Sequence, residues 1–308
     1  MIVYRELASL EADLGIPLST LYSVSNNISA HYRRVTVAKK SGGTRELSVP
    51  DGILKKIQRR ISEVILSRCA ISRYATAYRF GSSVQANARA HVGRQRVLKL
   101  DVKHFFDSIT YSAVKERCFP AERFSEPIRI LLTMLCYRGD ALPQGAPSSP
   151  AITNIIMLPF DESVGAFCNE RGIAYTRYCD DMTFSGDFDA GELIAFVKTE
   201  LFQNGFILNS EKTSLVGRGG RQTVTGIVVN DKPSVPSPYR DTLRQEMYYI
   251  NKFGLESHLE RTNSPEQKLK YLEKLLGRIN FVLQISPQSK EFSTYKATVI
   301  SMIKALPK

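Results

Sequence analysis

The sequence predicts an α+β protein that becomes all-helical toward its C-terminus, and three patterns carry that expectation. Tyr32–Val37 and Glu46–Val49 alternate in polarity around a Lys39-Lys40-Ser41-Gly42-Gly43 turn, the signature of a β-hairpin. Two further apolar runs, Arg96–Asp101 and Ile173–Tyr178, are short, rich in strand-forming residues and end in acidic positions. Beyond Pro233, Pro236 and Pro238 the pattern changes to helical spacing, with Leu269, Leu272, Leu275, Leu276, Ile279, Val282 and Leu283 on one stripe.

In chain order, a helical region over Ala8–Ser25 comes first. The basic hairpin follows, then a helix introduced by Pro50-Asp51. Its apolar positions Ile53, Leu54, Ile57, Ile61, Val64 and Ile65 recur every three or four residues. A helix is expected over Phe124–Tyr137. Met182–Ser185 forms the return arm of a hairpin with Ile173–Tyr178, and Thr223–Val229 reads as one β-branched strand. The proline cluster is the natural boundary, giving domains over 1–235 and 236–308.

Composition narrows the class of protein. A chain that is 43% hydrophobic and 23% charged is neither disordered nor fibrous. Five cysteines with no CxxC pair argue against a zinc ribbon or disulfide framework and fit a reducing, cytoplasmic setting. The N-terminus carries charges where a secretory signal needs an apolar run. The longest uncharged stretch, Ala141–Phe160, contains four prolines, so no membrane partner is expected.

The net charge of +12 is concentrated at two places. Between His31 and Arg68 ten basic residues face three acidic ones, and Pro238–Lys308 carries twelve against seven. Two basic segments around a nearly neutral middle suit a polyanion held from two sides, because phosphate contacts dominate nucleic-acid affinity. Arg33, Arg34, Lys55, Lys56, Arg59 and Arg60 are the candidate contacts; a solvated basic surface is the alternative.

The chemistry lies in the middle of the chain. Tyr178-Cys179-Asp180-Asp181 places two adjacent carboxylates at a tight turn, and Val97-Leu98-Lys99-Leu100-Asp101 is an apolar strand that ends in a third. If the strand lies beside the hairpin, three carboxylates meet at one end of a sheet. Such crowding is costly unless cations neutralise it. Oxygen-only ligands suit Mg²⁺, which shares phosphate oxygens with its substrate. Two such ions support in-line phosphoryl displacement. An Asp-Asp pair taken alone is more simply a solvated turn.

These residues resemble a known family. Leu100-Asp101-Val102-Lys103-His104-Phe105-Phe106-Asp107 resembles motif A of reverse transcriptases. Leu142-Pro143-Gln144-Gly145-Ala146-Pro147-Ser148-Ser149-Pro150 resembles motif B, and Tyr178-Cys179-Asp180-Asp181 resembles the YxDD of motif C. Asn87-Ala88-Arg89-Ala90-His91 and Val224-Thr225-Gly226 resemble the NAxxH and VTG elements of the bacterial retron group. The similarity spans roughly Tyr32 to Asn230. It departs from the family at Cys179, where Ala is commoner.

The resemblance implies a right-hand polymerase fold with fingers, a palm β-sheet flanked by helices and a small helical thumb. Residues 1–235 would hold fingers and palm, and 236–308 the thumb. Asp101, Asp180 and Asp181 would be catalytic and, with Val102, would bind two Mg²⁺ ions, for which Mn²⁺ is a possible substitute. Arg45, Lys40 (or Lys39), Phe106, Gln144 and Lys212 would bind the nucleotide. Of Phe105 and Phe106, one is expected in the core and the other at the gate that excludes a 2′-hydroxyl. Asn87, His91, Thr225 and Gly226 would contact nucleic acid, although each also has a purely local structural explanation.

The implied activity is RNA-directed DNA synthesis from dNTPs. A cognate non-coding RNA would be copied into short single-stranded DNA (msDNA) from a 2′-hydroxyl primer, in anti-phage defence with an effector protein. The length leaves no room beside a polymerase for a typical RNase H or endonuclease domain. Rival readings are a group II intron-like or diversity-generating reverse transcriptase, a catalytically silent RNA-binding scaffold of polymerase fold, and a two-metal nuclease.

Overall fold

The computed structural model describes residues 3–38, 42–262 and 267–306. The chain divides into two compact units. One comprises Met1–Ser82 and Val97–Leu215, the other Ser83–Arg96 and Val216–Lys308.

In the first unit the expected N-terminal helical region is two helices, Leu7–Leu14 and Leu18–Asn26. The break has a local cause. Gly15 adopts a left-handed φ of +63° and donates to the Glu11 carbonyl, and Pro17 then starts the second helix. The basic hairpin pairs Tyr32–Ala38 with Thr44–Pro50 in register from Tyr32↔Pro50 to Ala38↔Thr44. Its turn residues Lys39 and Lys40 lie outside the described residues. Asp51 caps the helix Gly52–Val64 by accepting from the Leu54 amide at 2.9 Å, and its other oxygen lies 2.7 Å from His31 Nδ1. Leu54, Ile57 and Ile61 are fully buried on one face of that helix, whereas Lys55, Lys56 and Arg59 face solvent.

The central sheet of this unit has the order Ala174–Tyr178, Asp181–Gly186, Arg96–Lys103, Ile207–Leu208. The middle strands are nearly all buried, which explains why they read as continuous apolar runs. Among the helices of this unit are Glu126–Cys136, Ser149–Ile156, Leu158–Glu170 and Ala190–Gln203. They contribute Leu132, Ile152, Phe160 and Val197 to its core.

In the second unit the single strand expected over Thr223–Val229 is instead a tight hairpin, Thr223–Val224 against Ile227–Val228. The residues that break the run are Thr225 and Gly226, both with positive φ (+46° and +81°). This hairpin packs with the helix Val84–Arg89. Thr225 Oγ1 donates to the Val84 carbonyl at 3.0 Å and accepts from Asn87 Nδ2 at 3.4 Å. The rest of the unit is helical: Ser237–Phe253, Leu255–Arg261, Lys268–Ile285 and Lys290–Ala305. Leu272, Leu275, Ile279 and Val282 of the expected stripe are buried, and Leu269 is exposed. Arg244 pairs with Glu291, and Arg278 with Glu246, each at 2.8 Å. Among the described residues no helix is long and apolar enough to cross a membrane.

Candidate active site

The sheet brings the acidic residues together. Strand Arg96–Lys103 neighbours strand Asp181–Gly186, and the Val102 amide donates to the Asp180 carbonyl at 3.3 Å. Tyr178 pairs with Asp181 across a two-residue turn made of Cys179 and Asp180. That turn requires a left-handed first residue, and Cys179 has φ +62°.

A buried ion pair holds the turn from below. Arg177 and Asp161 are both fully inaccessible and meet at 2.6 and 2.8 Å. Arg177 also donates to the Cys179 carbonyl at 2.8 Å and to Asn154 Oδ1 at 3.3 Å. Asp161 accepts a further bond from the Tyr175 hydroxyl at 2.8 Å.

Asp101 is buried, and both of its oxygens are engaged. Asn209 Nδ2 donates to Oδ1 and Lys212 Nζ to Oδ2, each at 2.9 Å. The Asn209 amide also bonds the Asp101 carbonyl at 2.8 Å, fixing the loop that carries Lys212. Crowding of like charge shows at Asp181. Its carboxyl is pushed up to about 6, first by the protein atoms packed around it and then by Asp180 and Asp101.

An open cavity of about 840 Å³ is lined by Asp101, Val102, Asp180, Phe106, Gln144, Arg45 and Lys212. A smaller one of about 430 Å³ is lined by Asp180, Asp181, Phe106, Gln144, Arg45 and Tyr78. Phe105 is buried in the core, whereas Phe106 is half-buried and lines both cavities. Gln144 is placed by its backbone, since its carbonyl accepts from the Ser48 amide of the basic hairpin at 2.8 Å. Gly145 comes so close to that strand that a Cβ would lie 3.0 Å from the Ser48 carbonyl oxygen, and its φ is +117°. Arg138 completes the junction by donating to Ser48 Oγ at 2.7 Å while lying over the Tyr32 ring.

Among the described residues no three His, Cys, Asp or Glu side chains form a ready-made metal cage. The donor chemistry nevertheless fits a hard divalent cation. The candidate ligands are oxygens, and the Asp180 and Asp101 carboxylates lie near enough to Asp181 to add to the effect of burial in raising its carboxyl.

Some expected nucleic-acid contacts are placed differently. Asn87 and His91 are fully buried in the second unit, so their side chains brace it and are not presented to a nucleic acid. Thr225 spends its hydroxyl on that same brace, and Gly226 is exposed. Arg60 is half-buried and donates to the Asp13 and Leu14 carbonyls at the end of the first helix. Arg33, Arg34, Lys55, Lys56 and Arg59 are exposed. Sequence reasoning did not single out Asp161, Arg177, Asn209 or Tyr78. A lone acidic residue on the apolar helix Leu158–Glu170, and an arginine at an inward position of a buried strand, were the available signals for the first two.

The arrangement of a strand carrying an aspartate near its end beside an aspartate-aspartate turn and a glutamine-bearing loop is that of a template-directed polymerase palm. A profile for the reverse transcriptase (RNA-dependent DNA polymerase) family matches residues 37–272, and the chain belongs to that family. Its relatives within the family include retron enzymes. It is 34% identical over 270 residues to the Retron Mx65 reverse transcriptase of Myxococcus xanthus, covering 80% of this chain and 63% of that one. It is also 34% identical over 273 residues to the Retron Ec83 reverse transcriptase of Escherichia coli, covering 84% of each. The chain thus spans less than two thirds of the length of the Myxococcus relative. Among solved structures, a foamy viral protease-reverse transcriptase in complex with double-stranded DNA superposes with a TM-score of 0.51 at 15% identity. The match covers 94% of this chain and 44% of that one. The fold is accordingly the α+β right-hand polymerase fold.

Proposed function

We propose that this protein is a retron-type RNA-directed DNA polymerase that copies a cognate non-coding RNA into short single-stranded DNA from dNTPs. The observation that carries the reading is the gathering of Asp101, Asp180, Phe106, Gln144, Arg45 and Lys212 around one cavity. Asp101, Asp180, Asp181 and the Val102 carbonyl would hold two Mg²⁺ ions, whose Lewis acidity favours attack on the α-phosphate and departure of pyrophosphate. Phe106 presents a ring where the sugar would lie, and Gln144 an amide beside the incoming nucleotide. Arg45 offers a fork suited to phosphate oxygens, and Lys212 a proton for the leaving group. The exposed Arg33, Arg34, Lys55, Lys56 and Arg59 would track the template backbone. Residues 1–235 would then serve as fingers and palm, and 236–308 as thumb.

The family resemblance extends the proposal to 2′-hydroxyl priming, a branched msDNA product and anti-phage defence with an effector protein. The test is incorporation of dNTPs on a primed RNA template with Mg²⁺. The wild-type chain should extend the primer. Asp180→Asn with Asp181→Asn should abolish extension while RNA binding stays within about twofold, since the pair is asked to act in chemistry and not in template affinity. A wild-type chain that binds the template yet never extends it would establish the silent-scaffold reading instead.

A further inference from the structure

Among the described residues, four that are not glycine have left-handed backbone, with φ between +46° and +62°: Tyr78, His104, Cys179 and Thr225. Two of these, Tyr78 and Cys179, line the same cavity. Such backbone costs free energy in a bulky side chain and persists only where the surroundings over-determine it.

Here they do, and one residue braces both segments. Thr76 donates to the Arg177 carbonyl through its amide (2.8 Å) and its hydroxyl (3.0 Å), while the Arg177 amide donates to the Tyr74 carbonyl at 2.8 Å. The Ala77 carbonyl accepts from buried Asn154 at 2.9 Å. The side-chain guanidinium of the same Arg177 holds the Cys179 carbonyl. The segment before Tyr78 and the acidic turn therefore form one rigid body.

What this scaffold presents is unexpected for a braced residue. The Tyr78 side chain is not in the core but 55% exposed, and it forms a wall of the smaller cavity together with Phe106, Gln144, Asp180 and Asp181. Core packing does not account for a strained, over-determined and exposed ring. Arg45, Asp180 and Asp181 supply the charged contacts of this cavity, whereas Tyr78 supplies an exposed aromatic face. A flat π-face with a polar edge suits a nucleobase, which aromatic side chains hold by stacking irrespective of sequence.

We propose that Tyr78 is a nucleic-acid-binding residue whose ring seats the terminal base pair of the template–primer duplex beside Asp180. This rests on the polymerase reading above and adds to it the group that fixes where the growing end stops. The bonds from Thr76 to Arg177 and from Arg177 to Cys179 tie the seat to the acidic turn, so the two keep their spacing.

The test uses the full chain and an RNA–DNA duplex with a recessed 3′ end. Tyr78→Asn removes the ring but tolerates the left-handed backbone, and Tyr78→Phe keeps the ring and drops only the hydroxyl. Affinity for the recessed duplex, read by fluorescence anisotropy, should fall at least about fivefold in Tyr78→Asn, the low end for losing one base–aromatic stack. It should fall less than twofold in Tyr78→Phe. Affinity for single-stranded RNA of equal length, which has no terminal base pair, should be the same for both variants and wild type. In extension assays KM for the duplex should rise in Tyr78→Asn while KM for dNTP does not.

Equal affinity of Tyr78→Asn and wild type for the recessed duplex would overturn the proposal. So would a loss in Tyr78→Phe equal to that in Tyr78→Asn, or a change confined to KM for dNTP. Failure of the wild-type chain to extend any primer would instead defeat the polymerase reading, and the binding arms would still decide the role of Tyr78.

Discussion

The Lys212 ammonium rests 2.9 Å from Asp101 Oδ2, and the same aspartate accepts from Asn209 on its other oxygen. Lys212 is 61% exposed on its side chain, so the pair is held by geometry more than by burial. A divalent cation held by Asp101 would compete with this ammonium for the same carboxylate oxygen, leaving Lys212 available as a proton donor. Lys212→Met should therefore lower kcat by about 10²-fold, the low end for losing a general acid, with KM for dNTP nearly unchanged. Single-turnover extension measures this. A rise in KM with kcat intact would assign Lys212 to ground-state binding instead.

The Arg177–Asp161 pair is fully buried, and removing one partner leaves the other charged without a counterion. Arg177→Met or Asp161→Asn should cost roughly 3–5 kcal/mol, measured by urea unfolding. Arg177→Met combined with Asp161→Leu should recover much of that loss, because two apolar groups leave no orphan charge. The double variant should still extend primers poorly, since nothing then holds the Cys179 carbonyl. Full extension by the stable double variant would show that the turn needs no such support.

Phe106 is the ring of the Phe105-Phe106 pair that faces the cavity, while Phe105 packs at 5.6 Å from Phe206 in the core. Phe106→Val should raise incorporation of ribonucleotides relative to deoxyribonucleotides by about tenfold or more, the scale of one steric contact in a fitted pocket. Competition between matched rNTP and dNTP gives the ratio. Phe105→Val should instead lower stability and leave the ratio alone.

His91 is buried in the second unit, and burial followed by Arg94 holds its pKa down to about 3. In the unfolded chain it titrates near 6.5. The folded form thus prefers the neutral ring. Its contribution to stability is complete above pH 6.5 and is lost as pH falls from there toward 3. Thermal melting should show stability declining across that window. His91→Gln should be less stable at pH 7.5 but flatter below pH 6.5, and an equally steep decline in the variant would place the acid sensitivity elsewhere.

The local chemistry of the chain was legible before any coordinates. Alternation gave the basic hairpin, three-and-four spacing gave the helix Gly52–Val64, and apolar runs ending in aspartate gave the strands under the site, because each depends on contacts within a few residues. The aspartates were expected from an apolar strand and a tight turn that carry them, whereas Phe106 and Gln144 were expected at the site through their resemblance to reverse transcriptase motifs A and B. The break at Gly15 and the hairpin inside Thr223–Val229 have local causes that hydrophobic spacing does not register, whereas the burial of Asn87 and His91 is decided by packing with segments distant in sequence. Tertiary structure alone determined that Lys212 would lie on Asp101, 111 residues away, and that Arg177 would bridge Asp161 and Cys179. It likewise put Tyr78 against the acidic turn. A side chain's periodicity records which face it occupies, whereas its partner depends on how the sheet orders its strands, and that order is a property of the whole packed core.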